Sequence, residues 1–416
     1  MNPPPAEVHS HPAIIAIFAL TYLGIAMGRV PGLKLNRVGI VMLGAIAMMI
    51  FGRIPTGQVI ACINWPTILL LFGFFVISAQ LRLCGFYDWL AGVVAARVGR
   101  PGRFLLLLMA VSGGLSAFLS NDIACLVFTP IVGTALLRKQ MNPVPFLIAL
   151  AIASNLGAAA TIIGNPQNMM IGAVAHLDFG HYLVWSLVPV FFALAAAFGI
   201  IWLMSRKNLQ STLAAPEDLQ RKTYPLNLPH VIKGLVILAV VVGLLFTSFP
   251  REIIALAAAA IHLASPRYRT EDLLGLVEWP ILVLFMGLFV VTGAFETTGC
   301  GDQAVHWLAH SGFDLNRPAN LALATAALSN LINNSAAVML LLKVVNLAQP
   351  ATACILALAN SFGGNLIIVG AVSNLIVVQQ ARDLGVNITF RDFARLGIPV
   401  TLASLAGLLV WVALMK

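Results

Sequence analysis

The chain has 416 residues, of which 60% are hydrophobic and only 9% charged, with a formal charge of +9 and a mean hydropathy of +0.95. Soluble domains carry roughly 25% charged residues, so a water-soluble enzyme is excluded, and continuous rather than alternating apolar runs exclude a transmembrane β-barrel. The sequence reads as an all-α polytopic protein whose first partner is the lipid bilayer; its surplus of Lys and Arg reports membrane orientation and not nucleic-acid binding.

The N-terminal tail 1–12, "MNPPPAEVHSHP", has no Lys or Arg and so lacks the basic n-region of a signal peptide. The first apolar run, 13–29, is therefore expected to be an uncleaved anchor. Runs at 37–52 and 65–83 follow, and then a short amphipathic segment, 86–98, suited to the membrane interface. Residues 103–138 form two apolar arms split by "SND", with basic residues on both flanks. Flanks of the same sign predict a re-entrant hairpin, whose non-helical tip is tolerated only where protein or a watery cavity surrounds it. The run 144–175 contains the uncharged polar stretch "SNLGAAATIIGNPQN" (154–168). Pro166 lacks an amide donor and disfavours helix at Asn165, which predicts a broken span with its break at Gly164-Asn165. A run at 181–204 closes the first unit, 13–204.

The charged stretch 205–229 reads as a cytoplasmic linker. The second unit, 230–416, has runs at 231–247, 251–264, 280–296, 351–381 and 394–415, a hairpin at 318–348 and an interfacial segment at 302–310. It repeats the first. Trp65-Pro66 recurs as Trp279-Pro280, Gly73 as Gly287, and each of these runs ends in Cys-Gly. "SAFLSNDIACLVFTP" (116–130) corresponds to "SNLINNSAAVMLLLK" (329–343), and 154–168 to "NSFGGNLIIVGAVSN" (360–374), which aligns Gly157 with Gly363, Gly164 with Gly370 and Asn168 with Asn374. Asn165-Pro166 becomes Ala371-Val372, so the second break, expected near Gly370, is less strongly encoded.

Five spans per unit is an odd number, which requires the second unit to be inverted relative to the first. With both termini outside, 19 of the 24 Lys and Arg residues fall on the inner side, and only Arg53, Arg251, Arg317, Lys343 and Lys416 fall outside.

Inverted repeats with hairpins and broken helices are the build of a secondary transporter. The first tip is Ser120-Asn121-Asp122, the second Asn333-Asn334-Ser335, and each is expected to face the broken span of its own unit. The N-terminus of each second arm carries partial positive charge, suited to an anion; carbonyls ending the first arm suit a small cation. The candidate cation- or proton-coupling residues are Ser120, Asn121, Asp122, Ser154, Asn155, Gly164 and Asn165. The candidate substrate residues are Asn121, Thr161, Pro166, Asn168, Asn333, Asn334, Ser335, Asn360, Gly363, Gly364, Asn365, Ser373 and Asn374. Asp122 is the only acid placed deep in the membrane, where carboxylates are usually functional, although it also suits a helix cap. Glu278 and Glu296 are expected at the interfaces. Lys343 is expected to snorkel outward or to pair with an anion. His306 and His310 share a helical face without a third metal ligand. The five cysteines show no clustered spacing and read as small apolar residues, so no transition metal and no cofactor are expected beyond Na⁺ or H⁺ as the coupling ion.

The stretches "SAFLSNDIACLVFTP", "SNLGAAATIIGNPQN" and "SNLINNSAAVMLL" resemble signatures of the ion transporter superfamily. This group includes arsenite permeases, citrate transporters, divalent anion/sodium symporters and a class of Na⁺/H⁺ antiporters. The resemblance covers about residues 13–415. It implies inverted repeats, tips at the substrate and cation sites, and a homodimer with an elevator-like motion. Symporter tips read Ser-Asn-Thr; here Ser120-Asn121-Asp122 keeps the first two, and Asn333-Asn334-Ser335 keeps the middle Asn. The Asn-Asp tip and "IGNPQN" look more like the arsenite-permease and citrate-transporter branch, often of the bacterial inner membrane.

The expected function is secondary active transport, by symport or antiport, of a small anion or oxyanion such as citrate, coupled to Na⁺ or H⁺. The alternatives are an arsenite/antimonite efflux permease, a Na⁺/H⁺ antiporter and a passive channel. No paired catalytic set or cofactor motif marks an enzyme. The lack of a buried Arg suits helix-dipole binding of a carboxylate, or a neutral species such as arsenous acid.

Overall fold

A computed structural model describes residues 11–28, 34–207, 209, 224–265, 267–301, 303, 310–311 and 313–415. Among these there are nineteen α-helices and no β-strand. The second interfacial segment and the His306–His310 pairing fall largely outside the described residues.

The first unit runs α1 (His11–Met27), α2 (Arg37–Ile50), α3 (Thr56–Cys62), α4 (Trp65–Leu83), α5 (Phe86–Ala95), α6 (Pro101–Phe118), α7 (Asn121–Arg138), α8 (Val144–Ala158), α9 (Pro166–Val174) and α10 (Phe179–Ser205). The second runs α11 (Leu228–Leu244), α12 (Arg251–Leu263), α13 (Thr270–Leu274), α14 (Trp279–Glu296), α15 (Pro318–Ile332), α16 (Asn334–Val344), α17 (Pro350–Gly363), α18 (Val372–Asp383) and α19 (Phe390–Leu414). Six helices, α4, α6, α7, α10, α14 and α19, are long and apolar enough to cross a membrane by length and composition. The short helices α3 and α13 were not expected. They occupy equivalent places before the two Trp-Pro pairs and are too short to show an apolar period.

Local chemistry sets the helix starts. α6, α9, α15 and α17 each begin with proline, whose fixed φ and missing N–H suit the first helical position. Asn64 caps α4 by accepting from the Thr67 amide at 3.0 Å, and Asp178 caps α10 through His181 at 2.7 Å. Thr389 and Asp392 form a reciprocal capping box on α19. Interior prolines recur at Pro189 in α10 and Pro399 in α19.

The packing is reciprocal. α4 packs on α12, and α14 on α2; α6 packs on α8, and α15 on α17; α7 packs on α18, and α16 on α9; α10 meets its own counterpart α19. Each of these contacts between unlike elements occurs twice with the units exchanged, which is the signature of a two-fold relation. Small residues allow the closest approaches. A Cβ on Gly73 would sit 2.6 Å from the Ala255 backbone, and one on Gly287 2.7 Å from Val41.

The outward faces are apolar. Val184, Val188 and Phe191 on α10, and Ile232, Val236 and Val240 on α11, are exposed at helical spacing. Exposed apolar stripes of this extent mark a surface covered by lipid.

Candidate functional site

Both long polar spans are interrupted. α8 ends at Ala158 and α9 starts at Pro166, so the first break covers 159–165. It opens earlier than Gly164-Asn165, within the alanine run that favours helix by propensity. Side chains take the freed carbonyls. Asn168 Nδ2 donates to Ala158 O at 3.3 Å and Thr161 O at 3.0 Å, Tyr182 Oη to Ala159 O at 2.8 Å, and Ser186 Oγ to Ala160 O at 2.7 Å. Asn165 is extended and accepts from the Asn168 amide at 2.7 Å. Buried backbone groups must find such partners, above all inside a bilayer.

The second break covers 364–371 and contains a 3₁₀ turn, Ile368–Gly370. Asn374 Nδ2 donates to Gly364 O at 2.8 Å and Ile367 O at 3.3 Å, the positions equivalent to those held by Asn168. Ala371 is extended like Asn165, with no side chain to cap α18. The weaker local signal still yields a break one residue longer than the first.

The hairpin tips meet these breaks. α6 and α7 have 18 residues each, about 27 Å of helix. Ser116 and Ser154 share a 2.7 Å hydroxyl hydrogen bond, Thr161 Oγ1 donates to Ala117 O, and Asn121 Nδ2 donates to Asn155 Oδ1 at 3.1 Å. In the second unit Ser329 Oγ donates to Asn360 Oδ1 at 2.8 Å, at the place equivalent to Ser116–Ser154, and Asn330 Nδ2 to Gly363 O at 2.8 Å. A Cβ at Gly157 would overlap the Gly113 carbonyl, and one at Gly363 would lie 2.6 Å from Ala326 Cα. These two glycines let the first arms lie directly on the broken spans.

The sequence expectation paired each tip with the break of its own unit; the structure also bonds the second tip to the first broken span, and the two broken spans to each other. Gln167 Nε2 in α9 donates to Ser335 Oγ at 2.7 Å and Asn334 Oδ1 at 3.4 Å at the opposite tip. Asn165 Nδ2 donates to Ser361 Oγ at 3.1 Å. Asn155 Nδ2 donates to Asn365 Oδ1 at 2.9 Å and Asn374 Oδ1 at 3.0 Å, and Asn155 Oδ1 accepts from Ser373 Oγ at 2.6 Å. Together with Asn121, these bonds use both donors and both acceptors of the Asn155 amide. That leaves Asn155 no free valence for an ion, and the donors of Asn168 and Asn374 are likewise spent on backbone.

The remaining polar groups line a cavity of about 30 Å³ formed by Asn121, Asp122, Pro166, Gln167, Asn334, Ser335, Ala371, Val372 and Ser373, with Ile281 and Leu284 of α14. The set contains the first two residues of α7, α9, α16 and α18, so four helix N-termini converge on it. Ser120 and Ala371 make no side-chain cap, which leaves first-turn amides of α7 and α18 without a side-chain acceptor. Asn121 is 6% exposed and its Oδ1 has no hydrogen-bond partner among the described residues. Ser120, Gly164 and Asn165 line an adjoining smaller space with Phe74 and Phe75. Ser154, Thr161, Asn360, Gly363, Gly364 and Asn365 stand one layer back, in the bonds between hairpins and breaks. Asn333 forms the second tip, with φ 79° and ψ 146°, a region almost restricted to glycine.

Gln167 was missed by sequence reasoning, as was Ser361; the "NPQN" context was the available signal for Gln167. Lys343 pairs with a carboxylate of the chain itself: its Nζ lies 2.6 Å from Glu296 Oε2, joining α16 to α14. Among the described residues no group of three His, Cys, Asp or Glu side chains is placed to hold a metal.

Comparison with known proteins agrees with this architecture. A family model described as citrate transporter matches residues 22–353. An uncharacterized transporter of Mycobacterium tuberculosis is 30% identical over 94% of this chain and 95% of its own length. A silicon efflux transporter of Oryza sativa subsp. japonica is 26% identical over 90% and 91%. The crystal structure of the YdaH transporter of Alcanivorax borkumensis, described as having an unusual topology, superposes with a TM-score of 0.60 at 14% identity, covering 98% of this chain and 99% of that one; this likeness concerns the fold.

Proposed function

The chain belongs to the citrate transporter family and is a multi-pass membrane transporter, and from that premise we propose that it is a secondary active transporter of a small anion, a carboxylate such as citrate or an oxyanion, coupled to Na⁺ or H⁺. The observation that carries this reading is the convergence of the first turns of α7, α9, α16 and α18 on one cavity. Each helix N-terminus carries about half a positive charge with unpaired N–H groups. Four of them favour an anion without any Lys or Arg in the lining.

Asp122 stands in the same lining and opposes an anion. At about 4 Å two like charges repel by about 4 kcal/mol at an effective dielectric of 20. A proton or Na⁺ on Asp122 removes that repulsion, so anion binding requires the cation and the two move together. A cavity of about 30 Å³ holds a water or a bare cation; citrate needs the tips to part from the breaks. The Gln167–Ser335 and Asn165–Ser361 bonds are the contacts that open as solute enters from one side or the other. In this reading both chain termini lie outside, 205–229 faces the cytoplasm of a bacterial inner membrane, and the working unit is a homodimer.

The lack of Lys and Arg in a lining rich in amides and hydroxyls also favours a second reading, a neutral hydroxylated solute such as silicic or arsenous acid, bound by those groups and exported. The rice relative's name is silicon efflux transporter.

Proteoliposome uptake of citrate, succinate, sulfate and arsenite, with imposed Na⁺ or pH gradients, tests both. Carboxylate or oxyanion uptake that rises with one of the gradients supports the first; flux of arsenous acid alone, indifferent to both gradients, overturns it.

A further inference from the structure

A second open space lies at the end of α7 opposite to the tip. It is a groove of about 570 Å³ between the end of α5 and the last turns of α7, adjoining residues 96–98. Its walls are made by small or apolar side chains, among them Ala95, Ile131 and Ala135, and its rim by Arg138 and Lys139. Both basic side chains are exposed, and neither makes an ion pair among the described residues. Thr134 lines the groove, and its hydroxyl oxygen is buried without a hydrogen-bond partner among the described residues. An apolar trough of this kind ordinarily fills with side chains. Here the small residues keep it open, beside two cations that have no ion-pair partner among the described residues.

From this arrangement we infer that the groove is a binding site for one anionic phospholipid of the inner leaflet, its acyl chain along Ala95, Ile131 and Ala135 and its phosphate on Arg138 and Lys139. The charge complementarity is specific to that class. A zwitterionic lipid carries its own cation and gains little from the pair, whereas an anionic headgroup satisfies both. Free phosphate or glycerol phosphate has the charge but no chain to fill the trough. The bound lipid ties α7 to α5, and α7 is the helix whose first turn holds Asn121 and Asp122. The site therefore acts on the end of the hairpin arm opposite to the tip.

The test uses the full-length protein purified in neutral detergent, with thermal unfolding followed during titration of dioleoylphosphatidylglycerol, dioleoylphosphatidylcholine or glycerol phosphate. Phosphatidylglycerol is expected to raise the unfolding temperature saturably, and the other two to leave it unchanged. The double variant R138Q/K139Q is expected to bind phosphatidylglycerol about thirtyfold more weakly, at about 1 kcal/mol per cation. A135W, which keeps both cations and fills the trough, is expected to lose the effect; R317Q, a cation elsewhere, is expected to keep it. The proposal is overturned if phosphatidylcholine or glycerol phosphate stabilises as well as phosphatidylglycerol, or if R138Q/K139Q responds like the wild type. None of these readings requires transport activity.

Discussion

Asn155 donates a 2.9 Å hydrogen bond to Asn365 across 210 residues of sequence, and the same amide also engages Asn374, Ser373 and Asn121. One side chain in α8 thus ties the first hairpin to both sides of the second break. Side-chain hydrogen bonds inside membranes average about 0.6 kcal/mol, so Asn155→Ala is expected to cost about 2–3 kcal/mol and to lower the unfolding temperature of the purified protein. An unchanged unfolding temperature would show that these bonds are dispensable.

Asp122→Asn separates binding from coupling. The amide keeps the shape and lacks the charge that repels an anion. Uptake in proteoliposomes is expected to lose its response to Na⁺ or pH gradients, while downhill exchange of labelled for unlabelled substrate persists. Coupled uptake that survives the substitution rules out the role given to this carboxylate.

Gln167 distinguishes charged from neutral cargo. Gln167→Glu adds a carboxylate beside Asn334 and Ser335 and is expected to reduce anion uptake at least about tenfold through like-charge repulsion. Gln167→Ala, which only removes the 2.7 Å bond to Ser335, is expected to have the smaller effect. Equal losses in the two variants would point to a solute without charge.

The second tip stores strain that glycine relieves. Asn333 sits at φ 79° and ψ 146°, which costs a non-glycine residue about 1–3 kcal/mol. Its side chain accepts from the Ser335 amide at 2.9 Å, and replacing such a cap by glycine costs only a few tenths. Asn333→Gly is therefore expected to stabilise by about 1 kcal/mol, read as a higher unfolding temperature, and Asn333→Val to destabilise.

Orientation is tested by a pair of single cysteines. Ser205→Cys at the end of α10 is expected to react with an impermeant maleimide only from the cytoplasmic side. Phe249→Cys, at a site 66% exposed between α11 and α12, is expected to react only from outside. The reverse pattern inverts the whole arrangement.

Much of this architecture is legible because the bilayer simplifies the code. Long apolar runs must be helices, and polar clusters such as "SND", "NNS" and "GNPQN" stand out against them. Pro166 marks the end of the first break by its chemistry alone. The beginning of that break, at Ala159, is hidden, because three alanines favour helix and are overruled by Asn168, Tyr182 and Ser186, which take their carbonyls. Gln167 shows the same limit: its partners lie 167 and 168 residues away. Such pairings depend on how the two units interlock, which no local pattern records. Lys343 was readable as a surface cation, but its partner Glu296 came only with the packing of α16 on α14.

The exchange of α4 with α12, and of α2 with α14, has a consequence for biogenesis. Neither half of the chain owns a complete interior: α4, 78% buried in the finished molecule, has its principal neighbour in a segment that leaves the ribosome much later. The first unit must therefore wait in the membrane with its small-residue faces unpaired. Contacts of such long sequence separation form slowly, and exposed intermediates are the ones that misassemble. A chain stopped after residue 204 is expected to be cleared by membrane proteases, and co-expression of the missing half is expected to rescue it.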